Sequence, residues 1–134
     1  MENSPSFSVL VIDDEPSLHN AMALKLSSRG YEVFQAADGR EGLELALKSL
    51  PDVIVSDLMM PNMNGAELID ALKAVDSTRH IPVIVLSNVD NVIEYQSIST
   101  TSANLDGIKI VKKAETPLDR LVDLVNQAIA MFVC

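Results

Sequence analysis

At 134 residues the chain has the length of one domain, long enough to bury an ordinary core and too short for two. Its 48% apolar content argues against disorder, and its formal charge of −9 disfavours a nucleic-acid or anionic-membrane surface, since either would repel it. Cys134 is the only cysteine, the start Met1-Glu-Asn-Ser-Pro5 lacks a basic or apolar leader, and no run approaches membrane-spanning length, so we expect no disulfides and a cytoplasmic protein.

Strand and helix signals alternate along the chain. Phe7 to Ile12 reads as a first strand, and Glu15-Pro16 opens a helix whose Leu18, Met22 and Leu26 share one face until Gly30 stops it. Tyr31 to Gln35 is the second strand. Leu43, Leu47 and Leu50 mark the inner face of a helix from about Gly39 to Ser49, which Pro51 ends. Asp52 to Ser56 is a third strand with Asp57 at its carboxyl end, and Pro61 and Gly65 break any regular continuation. Asn64 is the expected N-cap of a third helix carrying Leu68, Ile69, Leu72 and Val75. Ile81 to Leu86 is a fourth strand, with Pro82 near its start, where a missing N–H is tolerated.

Between Asn88 and Asp106 only Val92, Ile93 and Ile98 are strongly apolar, and the run Ser97 to Ser102 has poor helix propensity, so a short, weakly packed fourth helix is expected. Ile108 to Lys112 is a fifth strand. Thr116-Pro117-Leu-Asp119 then supplies an N-cap, a proline at the first helical position and an acid in the first turn of a last helix bearing Leu121, Val122, Val125 and Ile129. Such alternation implies right-handed crossovers and a parallel sheet between helices, in a single domain over residues 1–134. Ligands bind at the carboxyl ends of the strands in such a sheet. Asp57 alone there would most simply cap a turn, but Asp13-Asp14 follows the first strand in the same way and turns attention to a site.

Asp13-Asp14 after the first strand, Asp57 with Leu-Met-Met-Pro-Asn-Met-Asn-Gly after the third, Ser87 after the fourth and Lys112 after the fifth resemble the receiver domain of two-component response regulators. The likeness covers essentially the whole chain. It implies a flavodoxin-like, CheY-like α/β fold: a doubly wound five-stranded parallel sheet of order 2-1-3-4-5 with helices on both faces. That order sets Asp13, Asp14 and Asp57 in one crevice at the switch point. Carboxylates so placed repel, so either some stay protonated or a cation neutralises them, and an all-oxygen site with few protein donors suits Mg²⁺. By similarity to the family, Asp14 and Asp57 ligate the metal directly, Asp13 acts mainly through a bound water, and the backbone carbonyl of Met59 completes the protein share. Asp57 is then the phosphoacceptor, while Lys112 and the Ser87 hydroxyl hold phosphoryl oxygens.

The implied donor is a phosphohistidine on a sensor histidine kinase or a histidine phosphotransfer protein. A receiver catalyses only its own phosphorylation and dephosphorylation, so no turnover enzyme is expected. Taken singly, Ser87 is a strand-end turn residue and Lys112 a solvated edge charge; their placement at successive strand ends is what argues otherwise. Ile108-Lys-Ile-Val-Lys112 favours Lys112 over Lys113 as the closing residue. His19 and His80 read as solvated surface, and Met59, Met60 and Met63 as gap-filling side chains, with Met60 under the loop.

Departures from the family pattern leave the phosphoryl site whole and bear on signal output, whose usual surface is the fourth helix, fifth strand and fifth helix. Lys109 stands where an aromatic residue usually turns inward, and Lys113 where a proline is common, while the Ser87-to-Lys112 segment is longer than usual. We therefore expect no ring rotation, and a route through Ser87 and the fourth helix. Met59 and Val89 take the family positions that flank the approach of a hydrolytic water, and neither orients water well, so a long-lived phosphorylated state is expected. A dehalogenase-type phosphatase resembles Asp-x-Asp, whereas Met59 occupies its second acidic position, and no glycine-rich phosphate turn follows the first strand. The remaining alternative is a receiver-like interaction module that is never phosphorylated.

Overall fold

The runs rich in Val and Ile form five short strands, and the amphipathic stretches between them form helices. The structure, a computed structural model, describes residues 7–58, 62–87, 107–112 and 116–133, with the backbone alone for 131–133. In chain order these are β1 (Ser8–Ile12), α1 (Pro16–Ser28), β2 (Glu32–Ala36), α2 (Gly39–Ser49), β3 (Val53–Asp57), α3 (Gly65–Lys73), β4 (Val83–Ser87), β5 (Ile108–Lys112) and a last helix, here α4 (Leu118–Val133). All strand pairings are parallel and the order is β2-β1-β3-β4-β5, so the chain reverses its winding between β1 and β3 as the resemblance implies.

Because successive side chains on a strand point to opposite faces, the strands feed two cores. Val9 and Val11 of β1, Val53 and Val55 of β3, and Ile84 and Leu86 of β4 pack with Met22 and Leu26 of α1 and Leu121, Val122 and Val125 of α4. Leu10, Ile12, Ile54, Val83 and Val85 pack on the other face with Ala46 of α2 and Leu68, Ile69 and Leu72 of α3. Central strands buried on both faces carry no polar alternation, which is why β1, β3 and β4 read as nearly unbroken apolar runs.

Local chemistry sets the ends of the helices. Gly30 takes φ +94° just past α1, where its N–H donates to the Ser27 carbonyl and that of Tyr31 to the Leu26 carbonyl, the bonding of a Schellman ending. Asn64 caps α3 as expected: its side chain accepts from Glu67 N and the Glu67 carboxylate accepts from Asn64 N.

Several expectations are corrected. Leu47 and Leu50 do not line the inner face of α2, being 42% and 49% exposed, while Gly39, Gly42 and Ala46 are buried there. Small residues let this helix lie close to the sheet, and Leu50 has left the helical stripe by adopting φ 49° at the C-cap. Boundaries also move. Tyr31, Asp52, Ile81 and Pro82 precede their strands and Phe7 precedes β1, whereas Asp57 and Ser87 are the last residues inside β3 and β4. Thr116 is not where α4 begins: the Pro117 carbonyl accepts the first helical bond from Leu121 N, and the Thr116 hydroxyl donates instead to the Lys112 carbonyl at 2.6 Å. The expected fourth helix within 88–106, and Met59, Met60, Pro61, Val89, Lys113 and Cys134, lie outside the described residues.

Candidate functional site

Sheet register brings the strand-end residues together. Ile12 pairs with Ser56, so Asp13 and Asp57 leave neighbouring strands side by side, and Ser87 pairs with Lys112 one strand-pair further along. Oxygen atoms of Asp13, Asp14 and Asp57 lie within 4.8 Å of one another. Asp13 is 1% exposed, Asp57 5% and Ser87 1%, whereas Asp14 and Lys112 are exposed.

Backbone hydrogen bonds hold the two acidic loops. Asp13 N donates to the Ala36 carbonyl at 3.2 Å and Asp13 Oδ1 accepts from Glu15 N at 2.8 Å, which draws the first turn after β1 tight against the end of β2. On the other side, Leu58 N donates to the Leu86 carbonyl at 3.0 Å and Gly65 N to the Leu58 carbonyl at 2.7 Å. The Ser56 hydroxyl donates to the Asp57 carbonyl at 2.9 Å. Asp57 therefore sits on backbone anchored from both flanks.

Two full negative charges at 4.8 Å repel by roughly 3.5 kcal/mol at an effective dielectric of about 20. Asp13 and Asp57 are both buried, where screening by solvent is weakest. A hard divalent cation relieves such repulsion, and three carboxylates with one side open to water are the donor set that suits Mg²⁺, which keeps several of its waters. The residues present thus fit that ion.

The sequence profile described as the response regulator receiver domain matches residues 9–125. The chain belongs to the receiver domain family. Solved relatives carry the same fold: chemotaxis response regulator CheY4 of Vibrio cholerae is 28% identical, with a TM-score of 0.79, over 92% of this chain and 99% of that one. The Francisella response regulator 1452 receiver domain is 30% identical, with a TM-score of 0.78, over 95% and 99%. Transcriptional regulatory protein KdpE of Mycobacterium tuberculosis is 44% identical over 59% of this chain but only 34% of its own length, and response regulator PleD of Caulobacter vibrioides is 40% identical over 61% and 18%. The match thus spans about a third or less of the length of these curated relatives. Receivers of this family act in two-component systems, where phosphorylation and Mg²⁺ binding are typical.

Of the residues singled out in the sequence, Asp13, Asp14 and Asp57 converge, and Ser87 and Lys112 share a register position at the same sheet edge. Met59 lies outside the described residues. Lys109 is exposed on β5, so its ammonium carries no burial cost. His80 is exposed, but His19 is half-buried on α1 with Nε2 shielded from solvent, contrary to the surface expected for it. No helix among the described residues is long and apolar enough to cross a membrane.

One contributor escaped the sequence. Asp38 Oδ1 caps α2 by accepting from Glu41 N at 2.8 Å, and Asp38 Oδ2 accepts from the Asn62 amide at 2.9 Å. These two donors hold the Asp38 carboxyl below the usual carboxylate range. The spacing Asp38-Gly-Arg-Glu41 is a readable capping signal, but nothing in it points to a partner 24 residues on.

Proposed function

We propose that this receiver domain accepts a phosphoryl group on Asp57. The observation that carries the reading is the convergence of Asp57 with Asp13 and Asp14 at the carboxyl edge of adjacent parallel strands, with Ser87 and Lys112 ending the next two. In the reaction, an Asp57 carboxylate oxygen attacks phosphorus in line with the leaving group. A P–O bond forms, the P–N bond of a phosphohistidine breaks, and its electron pair returns to the imidazole nitrogen. A bound Mg²⁺ would neutralise phosphoryl charge, held by Asp14, Asp57 and the Met59 carbonyl with Asp13 acting through water. Lys112 draws a second oxygen by charge, and the Ser87 hydroxyl donates to a third. Positioning and charge compensation are the main sources of catalysis in phosphoryl transfer.

The donor is a sensor histidine kinase or a phosphotransfer protein, and the domain catalyses only its own gain and loss of phosphate. We place it in the cytoplasm as a single receiver over 1–134 that contacts no nucleic acid itself, its output passing through the surface of the 88–106 segment, β5 and α4. Incubation with Mg²⁺ and acetyl phosphate, followed by intact mass, should show one added phosphoryl group, none in Asp57→Asn with unchanged circular dichroism, and none in excess chelator. Labelling of Asp57→Asn would overturn the assignment. No labelling of the wild type by acetyl phosphate or a phosphorylated phosphotransfer protein would favour an unphosphorylated interaction module.

A further inference from the structure

We infer that Asp38 and Asn62 form a positioning pair that ties the start of α2 to the loop after Asp57, and so sets the metal affinity of the carboxylate site. The inference rests on the phosphoacceptor reading. Neither residue reaches the three acids in the geometry above; both act through backbone.

Four observations carry it. The Asn62 amide donates to Asp38 Oδ2 at 2.9 Å, a direct side-chain bond between two loops 24 residues apart. Asn62 holds φ 69°, a left-handed conformation that Asn tolerates better than most residues and that turns the chain here. Beside it the loop lies against α2 so closely that a Cβ on Gly39 would stand 2.1 Å from the Met63 carbonyl oxygen. Asp38 is itself immobilised, since Oδ1 accepts from Glu41 N while the Glu41 carboxylate accepts from Ala37 N at 2.8 Å.

These contacts close a ring around the crevice. Asp13 is bonded to Ala36, which leads within two residues to Asp38; Asp38 is bonded to Asn62, and three residues further on Gly65 N is bonded to Leu58, the neighbour of Asp57. Among the described residues, the Asp13 and Asp57 loops are joined by the β1–β3 pairing beneath them and, at the rim, by the Asp38–Asn62 bond with the Met63 backbone packed against Gly39. Cutting the rim bond leaves the sheet intact and removes the side-chain tie that holds Asn62 to the start of α2. A tie at the rim limits how far these loops can part in response to the repulsion between their carboxylates. Partners that orient metal ligands without touching the metal typically alter affinity 10–100-fold when removed.

The test uses the whole chain and two substitutions chosen to spare the local fold. Asn62→Gly keeps the left-handed turn and deletes the amide. Asp38→Ser keeps a helix cap and is too short to reach Asn62. Mg²⁺ binding is measured by titration calorimetry well below the thermal midpoint, alongside the Mg²⁺ concentration that half-saturates acetyl-phosphate labelling. Each variant should weaken Mg²⁺ binding about tenfold, with a matching rise in the half-saturating concentration and an unchanged maximal rate, and the double variant should be little worse than either single one. Thr78→Val in the turns after α3, which loses the buried bond from Thr78 Oγ1 to the Leu72 carbonyl, should lower the thermal midpoint and leave Mg²⁺ affinity alone. Wild-type affinity in both single variants, or an equal loss in Thr78→Val, would overturn the brace. Failure of the wild type itself to bind Mg²⁺ would overturn the metal site first, and the wild-type titration tells the two failures apart.

Discussion

Replacing Gly65 by alanine tests how tightly the Asp57 loop is folded. A Cβ at this position would stand 2.7 Å from the Asp57 carbonyl oxygen and 3.1 Å from Leu58 Cα, both backbone atoms that cannot rotate away. Helix propensity favours the substitution by at most about 1 kcal/mol. Against it stand overpacking, about 1–3 kcal/mol, and strain on the 2.7 Å bond from Gly65 N to the Leu58 carbonyl, worth about 1 kcal/mol. The clash wins, with a net loss of about 1–3 kcal/mol and a drop in thermal midpoint of roughly 3–10 °C for a chain of this size. Because the displaced atom belongs to the proposed nucleophile's own residue, labelling should slow by about 10²-fold at saturating Mg²⁺. Gly30→Ala is the comparison: at φ +94° it meets no atom within 4 Å, so it should lose about 1 kcal/mol from backbone strain and label at the wild-type rate. Thermal circular dichroism and a time course of intact mass give both quantities. A Gly65→Ala protein that unfolds and labels like the wild type would refute the close approach.

Thr116→Val removes the bond from the Thr116 hydroxyl to the Lys112 carbonyl, at a cost of about 1 kcal/mol, and should slow acetyl-phosphate labelling, with Thr116→Ser restoring it. The Lys25 ammonium, with Arg29 behind it, holds the Asp119 carboxyl below its ordinary value, so the ion pair contributes stability above the ordinary carboxylate range that is lost as pH falls through the lowered value. Asp119→Asn should accordingly lower the thermal midpoint slightly at pH 7, less in 1 M salt, and not at all in strong acid. Met59→Asn, or a polar residue at Val89, should speed phosphate loss from the labelled protein with Mg²⁺ present, within the 10²–10⁴-fold that positioned acid–base groups typically supply. Equal decay would mean that these side chains do not set the lifetime.

The elements of this protein were legible because most of them obey one local rule each. A short β-branched run such as Val53 to Val55, closed by Pro61 and Gly65, reads as a strand buried on both faces, and Asn64 three residues before Glu67 reads as a helix start. The acids were legible for the same reason: Asp13 and Asp57 end such runs, and a parallel sheet brings strand ends to one edge. Local rules misled where small residues did the packing. Gly39, Gly42 and Ala46 carry almost no hydrophobic signal, yet they form the buried side of α2, while Leu47 lies on its exposed side and Leu50 leaves the helical stripe at the C-cap. Tertiary structure alone decided that oxygens of the three acids lie within 4.8 Å, that Thr116 serves Lys112, and that Asp38 meets Asn62. Periodicity records which face of an element is buried and says nothing of which loop another loop touches, because contacts between distant loops depend on the paths of all the strands between them.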